Sequence, residues 1–205
     1  MFKAFITNLA KYNEGTLVGE WVDFPIDGKT LDRVMNRIGG GEYIITDYDI
    51  DVSGITEALG EHENLAELNY LAKRLEELDS WEIEVLESVL EWVSYCSSSD
   101  LINLTYNLDN FQILPDIDDD EDLGRYYIEE SGCYDLSNMG TLANYIDYEA
   151  FGRDVRLEEG GGFTSSGYIY DTENTFVDEY DGKNIPEEYQ IVDDDEFDLL
   201  LEEER

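Results

Sequence analysis

NLAELNYLAKRLEELDSWEIEVLESVLEWV, residues 64–93, is the stretch on which the architecture turns. Leu65, Leu68, Leu71, Ala72, Leu75 and Leu78 recur at helical spacing and make one apolar stripe behind Asn64, a residue type suited to an N-cap. A second helix follows almost at once. Asp79 and Glu82 have the spacing of a capping box, and Val85, Leu86, Val89 and Val93 supply a buried face. A shorter helix is predicted over Asp100–Leu108, so the middle of the chain reads as wholly helical.

Outward from this centre the period changes. Phe2–Asn8 and Thr16–Phe24 are rich in aromatic and β-branched residues and flank the turn signal Asn13-Glu14-Gly15, with Pro25 closing the second run, which predicts a hairpin or short meander. Leu31, Val34, Met35 and Ile38 then mark a helix behind Thr30 as its cap, ended by Gly39–Gly41, and Glu42–Ile50 returns as a strand. On the other side, the apolar run Phe111–Leu114 leads through the acidic stretch Asp116–Asp122 into a helix carrying Leu123, Tyr126 and Tyr127, which Gly132 stops. A further helix is expected over Asn138–Phe151, then strands over Arg153–Leu157 and Phe163–Tyr170 around a Gly160–Gly162 turn. Beyond Asp171 the pattern weakens, and Asp193–Glu204 forms an acidic tail. The expected fold class is α+β in three small modules: a β-rich N-terminal module over 1–61, a helical one over 62–109 and an α+β one over 110–170. An acidic extension over 171–205 follows them.

Charge is the outstanding feature of the composition. Among 205 residues, 51 acidic against 12 basic leave a formal net charge of −39. Chains this acidic are often disordered, because self-repulsion is strong and apolar surface is scarce. A hydrophobic content of 42%, with 15 Tyr, 8 Phe and 3 Trp and only 3 Pro, is instead that of a folded chain. No apolar run approaches the roughly 20 residues needed to cross a bilayer, and no apolar signal-like region follows Met1. Two widely separated cysteines, Cys96 and Cys133, fit a reducing cytoplasm. Nucleic acid and anionic membrane would both repel such a surface, so the partner should be basic.

Enzyme chemistry finds little purchase. The single histidine, His62, sits in the loop-like Gly60–Asn64, and the cysteines lack zinc-ligand spacing and read as buried or incidental thiols. The glycine runs lack the Lys and Ser/Thr of a phosphate loop and the spacing of a dinucleotide fingerprint. Asp47-x-Asp49-x-Asp51 and Asp116-x-Asp118-x-Asp120 start like calcium loops. Position six is then Val52 or Glu121 where Gly is wanted, and position twelve Ala58 or Tyr127 where a bidentate Glu is wanted. No catalytic residue, cofactor or metal is expected. An acidic calcium-binding or halotolerant-type soluble protein stays open as the alternative reading.

What many carboxylates can do together is imitate a polyanion. B-DNA carries about one charge per 1.7 Å of axis, so −39 is comparable to the phosphate charge of roughly 20 base pairs. Glu84, Glu87 and Glu91 share one helical face over about 10 Å at a 1.5 Å rise per residue. Like charges at i, i+4 cost an isolated helix about 0.2–0.5 kcal/mol, so an external partner is expected to offset their repulsion.

Three words in the sequence carry a resemblance: Ile6–Gly15 continuing to Leu17–Trp21, Gly124–Gly132 (GRYYIEESG) and Asn144–Asp154 (NYIDYEAFGRD). In this order they resemble the ArdA-type antirestriction proteins. The resemblance covers about residues 1–170 and implies an elongated, curved three-domain homodimer joined through its C-terminal domain and carried by mobile genetic elements. Such a protein is a DNA mimic that occupies the DNA-binding groove of Type I restriction-modification enzymes, inhibiting restriction and often modification. No catalytic residue carries over. From the acidic faces, the phosphate mimics are expected among Glu14, Glu20, Asp23, Asp27, Asp47, Asp49 and Asp51 of the first module, and Glu76, Glu77, Glu84, Glu87 and Glu91 of the second. The third contributes Asp116, Asp118, Asp119, Asp120, Glu121, Asp122, Glu129, Glu130, Asp147, Glu149 and Asp154. Phe111, Ile113 and Leu114 are expected at the dimer interface, pairing edge to edge. Neutralising a whole acidic face should leave the fold no less stable, since repulsion is relieved.

Overall fold

A computed structural model describes residues 1–172 and 174–192. Their contacts gather into two compact units, each with its own antiparallel three-stranded sheet, which makes the fold α+β. The first unit comprises Met1–Ile83, Ser94–Tyr106 and the described residues from Val177 onward; the second comprises Glu84–Val93 and Asn107–Phe176.

The first unit runs β1 (Phe2–Asn8), α1 (Leu9–Asn13), β2 (Gly19–Phe24), α2 (Gly28–Arg37), β3 (Tyr43–Ile50), α3 (Ile55–Ala58), α4 (Leu65–Glu77), the first turn of α5 (Ser80–Trp92) and α6 (Ser98–Thr105). β1 lies between β2 and β3, with Phe2 opposite both Phe24 and Ile50. Alternation sends Phe2, Ala4, Ile6, Val22 and Phe24 into the core together with Val34 and Ile38 of α2. The expected hairpin is real in its pairing, but a short helix separates its strands. Asn8 is the cause: its Oδ1 accepts from Lys11 N at 2.9 Å, starting α1, while its Nδ2 donates to the carbonyls of Ile38 and Gly40 at 3.2 and 2.9 Å.

Local signals fared well where a side chain bonds its own helix. Asn64 accepts from Ala66 N at 2.8 Å. Asp79 accepts from Trp81 N and Glu82 N, and Glu82 Oε2 accepts in return from Asp79 N at 2.8 Å, completing the capping box. The cap of α2 is Asp27, not Thr30: the backbone N–H and hydroxyl of Thr30 both donate to the Asp27 carboxylate, at 2.7 and 2.8 Å. Thr30 is therefore inside the helix, which starts about one turn earlier than the apolar pattern suggested.

Residues 177–192, where no periodicity was legible, are a strap fastened to the first unit. Tyr180 and Tyr189 are buried. Asn103 pairs with the backbone of Tyr180, Nδ2 to its carbonyl at 3.0 Å and Oδ1 from its N–H at 2.8 Å. Asn69 accepts from Ile26 N at 2.7 Å and donates to the Tyr189 carbonyl at 3.2 Å. The ring of Tyr70 meets Tyr180 edge-on at 5.4 Å and stacks on Tyr189 at 4.3 Å, and Lys73 Nζ donates to the carbonyls of Glu188 and Gln190 at 2.8 and 3.2 Å. The acidic tail from Asp193 lies outside the described residues.

The second unit holds the rest of α5, β4 (Phe111–Leu114), α7 (Asp120–Arg125) continuing as a wider turn over Tyr126–Glu130, α8 (Tyr148–Glu159), β5 (Gly162–Thr164) and β6 (Gly167–Asp171), in sheet order β4-β6-β5. Here two expectations are corrected. The helix expected over Asn138–Phe151 and the strand over Arg153–Leu157 are replaced by a 3-10 stretch over Gly140–Tyr145 and by α8. Asp147 sets the start of α8 by accepting from Ala150 N at 3.0 Å, and Gly160 ends it with φ +71°. The reversal between β5 and β6 falls at Ser165-Ser166, not at the glycines.

Two glycines let α7 and α8 touch backbone to backbone. A Cβ on Gly152 would lie 1.8 Å from the Asp120 carbonyl oxygen and 2.7 Å from Gly124 N, and one on Gly124 would lie 2.0 Å from the Tyr148 carbonyl oxygen. Beneath this crossing Leu114, Ile117, Leu123 and Tyr168 form the unit's core, with Val155 and Phe163 packed against it. Gly152→Ala should therefore force the helices apart. The cost should exceed the about 1–3 kcal/mol of ordinary overpacking, because backbone rather than side chain must move, and chemical denaturation should show loss of the second unit's cooperative transition. A chain ending at Phe176 should lose several kcal/mol from the first unit, since burial of each large side chain contributes about 1.5–3 kcal/mol. Urea melts of the shortened and full chains check this.

Candidate functional site

Each acidic residue singled out from the sequence now has an address, and they divide by what their carboxylates touch. Several hold the fold through ion pairs. In the first unit Glu14 pairs with Lys11 at 2.8 Å, Glu20 with Arg37 at 2.7 Å, Asp23 with Lys3 at 2.9 Å, and Asp51 with the Met1 ammonium at 2.9 Å. Glu77 binds both Arg74 and the Tyr189 hydroxyl. In the second unit Glu121 pairs with Arg125 at 2.6 Å, and Asp154 with its neighbour Arg153 at 3.9 Å. Asp120 takes both Nε and Nη2 of the Arg156 fork at 2.7 and 3.1 Å, which holds its carboxyl below the ordinary aspartate range. In the far field these charges are cancelled by their partners.

A second group caps and braces while keeping its charge, because a backbone N–H or hydroxyl donor brings no cation. Asp27 caps α2, and the hydrogen bond from Thr30 N lowers its pKa. Asp119 caps α7 through Asp122 N at 2.9 Å, Asp147 caps α8, and Asp122 accepts from Asp118 N at 3.4 Å. Glu91 accepts the backbone N–H and hydroxyl of Ser165 at 2.9 and 2.8 Å, pinning the β5–β6 reversal. Glu129 accepts from the Tyr148 hydroxyl.

A third group presents its charge outward. Asp47 accepts only from Tyr48 N, at 2.9 Å, and Asp49 acts with Asp23 on Lys3. Glu76 is exposed on α4, and the half-buried Glu87 has a bonding partner. Among the described residues the carboxylates of Glu84, Asp116, Asp118, Glu130 and Glu149 are exposed and tied to no partner. Of these, Glu149 joins capping and ion-paired acids where α7 and α8 begin. Asp119, Asp120, Glu121 and Glu149 line an acidic hollow of about 290 Å³, and Glu121, Arg125 and Asn144–Glu149 line a larger one of about 510 Å³. Both helix starts offer unpaired N–H groups and a positive dipole end, which is where a fold best tolerates clustered carboxylates.

Three further carboxylates, Glu63, Glu67 and Glu159, were not singled out by sequence. Glu67 accepts from the Tyr180 hydroxyl at 2.9 Å, Glu63 accepts from Ser98 N at 3.3 Å, and the one Ser98 hydroxyl lies between the two carboxylates, 2.5 Å from Glu67 and 2.7 Å from Glu63, with a single proton to share. Glu159 accepts from Tyr127 and from Tyr168, the latter at 2.9 Å. Burial first, and then the bond to glutamate, pushes the hydroxyls of Tyr127, Tyr168 and Tyr180 above the ordinary tyrosine range, so they remain protonated donors. The signal was the tyrosine count, which sequence alone assigns to packing.

Asp47 and Asp49 share one side of strand β3 instead of a calcium-loop turn, and among the described residues no group of three His, Cys, Asp or Glu side chains is placed to hold a metal. His62, Cys96 and Cys133 are exposed, the thiols free and not buried. No helix among the described residues is long and apolar enough to cross a membrane. Ile113 and Leu114 are buried, Leu114 in the core of the second unit, and Phe111 is half-buried, while β4 lies at the sheet's edge with its backbone available for the expected pairing.

The expectation that removing charge never destabilises is also corrected, since Asp119, Asp120 and Glu91 hold helices and a turn together. Asp120 supplies the test. Its folded pKa is depressed, so its stabilisation is present above the unfolded value of about 4 and is lost as pH falls through the folded value. Asp120→Asn should cost about 1–3 kcal/mol at pH 7, and the gap to the parent should narrow as pH falls below the unfolded value of about 4. Urea denaturation above and below that value measures it.

These features agree with what comparison with known proteins shows. The family model described as antirestriction protein (ArdA) matches residues 4–170, while no curated protein matches. The matched span includes the glycine crossing of α7 and α8 and the acidic hollows, and it ends before the strap. The chain belongs to the ArdA family of antirestriction proteins.

Proposed function

We propose that the protein is a DNA mimic that occupies the DNA-binding groove of Type I restriction-modification enzymes, blocking restriction and with it modification. The observation that carries this is a net charge of −39 on a folded chain in which, among the described residues, the exposed carboxylates of Glu84, Asp116, Asp118, Glu130 and Glu149 have no cation beside them. An antirestriction protein must disable an enzyme built to grip a polyanion. Presenting a second polyanion needs no catalysis and no cofactor. The phosphate mimics are the outward and capping groups: Asp47, Asp49, Glu76, Glu84, Glu87, Asp116, Asp118, Asp119, Glu130, Asp147 and Glu149. Ion-paired acids such as Glu14, Glu20, Asp23, Asp51 and Glu121 contribute less. A homodimer formed along the β4 edge would double the charged length in the cytoplasm of the host cell.

Binding energy in such a mimic is divided among many exposed pairs, each contributing about 0–1 kcal/mol and screened over roughly 8 Å at physiological salt. Glu84→Gln alone should weaken competition with DNA for a Type I methyltransferase core no more than severalfold. Asp116, Asp118 and Glu149 neutralised together should weaken it about 10- to 100-fold and flatten the salt dependence of affinity, as lost phosphate contacts do for DNA itself. These positions brace nothing, so melting should be unchanged. Gel-shift competition across a salt series reads both quantities. Full inhibition lost in one single variant, with the triple variant unaffected, would replace the distributed mimic by a discrete site.

A further inference from the structure

We propose that the outer face of the first unit's sheet is an apolar anchor that seats an arginine-bearing basic segment of the partner protein. This rests on the DNA-mimic reading and adds a contact that phosphates do not make. Strand alternation that buries Phe2, Ala4 and Ile6 sends Phe5 to the opposite face, where it sits in register with Trp21 of β2 and Asp47 of β3. The Phe5 and Trp21 rings meet edge-on with centroids 5.3 Å apart. Leu17, Tyr12 and Trp21 remain 64%, 47% and 42% exposed, and with Phe5, Thr46 and Asp47 they line a groove of about 410 Å³.

Fold stability does not account for this surface, because four large apolar groups gather on the side of the sheet away from the core. Its chemistry selects the occupant. Ring faces carry negative quadrupole potential and attract a guanidinium, which stacks flat on an aromatic while its N–H groups reach a carboxylate. Asp47 provides that carboxylate at the groove, accepting only from Tyr48 N. The nearby lysines are engaged elsewhere, Lys3 with Asp23 and Lys11 with Glu14. A groove that binds DNA is lined with arginine and lysine, so a segment of that kind complements an aromatic seat with an acidic edge. Buried aromatic anchors ringed by weaker polar contacts are also how protein interfaces concentrate affinity.

The test uses Leu17→Ala and Trp21→Ala in the full chain, with thermal melting to confirm the fold and Leu17→Ala, the more exposed site, as the variant least able to disturb it. Each is measured by gel-shift competition against DNA for a Type I methyltransferase core at several salt concentrations. The expected result is at least a tenfold loss of affinity with an unchanged salt slope, because Asp47 and every other carboxylate stay in place. Parental affinity in both variants, while the triple acidic variant still weakens and loses slope, overturns the anchor and leaves the mimic standing. Loss in the anchor variants with no effect of the acidic triple supports the anchor and overturns the mimic. Parental behaviour in all of them overturns both.

Discussion

Glu159 illustrates the constraint under which the whole chain folds. It is half-buried, it is an acid in a protein with 12 bases for 51 acids, and its two partners are tyrosine hydroxyls. Removing a carboxylate from water without compensation costs several kcal/mol, and the usual remedy is a lysine or arginine. Asp120 takes that remedy with Arg156, whereas two other half-buried acids use O–H donors: Tyr127 and Tyr168 on Glu159 and Tyr180 on Glu67. Hydroxyl donors satisfy the oxygens locally and add no charge. The tyrosines thus do two tasks, filling the core and taking the place of cations.

Helix ends do the rest of this work. Asp27, Asp119 and Asp147 accept from the free N–H groups of α2, α7 and α8, and each stabilises its helix start while remaining an anion. Where arginine is used, its placement is economical. Arg156 joins α8 to Asp120 of α7 and lies 5.6 Å from the Phe163 ring, and Arg125 pairs with Glu121 while lying 4.6 Å over the Tyr148 ring. Both serve the one place where helices approach through glycines, so the few cations go to the closest backbone contact in the second unit.

What was legible in the sequence was what is local. Asn64 and the Asp79/Glu82 box are read correctly because both partners lie within one turn, and the strand Phe2–Asn8 because its aromatic and β-branched residues favour extended backbone. Misreadings arise where a distant partner decides. Val155 and Leu157 look like a strand beside glycines, but Gly160 is a helix stop and Gly152 a helix contact, which only the facing α7 makes necessary. Thr30 looks like a cap because Asp27 stands behind Gly28, a residue that seldom opens a helix. The strap has no period at all, because its anchors are Asn69 and Asn103, side chains more than 70 residues away.

The acidic surface was legible in amount and not in assignment. Spacing along a helix placed Glu84, Glu87 and Glu91 together, yet the three differ in work: Glu91 pins a turn, Glu87 is half-buried with a partner, and Glu84 is free. The same holds at Asp118–Asp122, where a cap, an arginine clamp and an open carboxylate are neighbours in sequence. An acidic chain that balanced its acids with arginines would fold more readily and present a weaker field, since each cation cancels one anion at any distance beyond the pair. Holding acids with hydroxyls and helix ends avoids that cancellation. The same choice that lets the carboxylates be buried keeps the molecule a polyanion, and it ties this sequence's composition to the family's activity against enzymes that act on DNA.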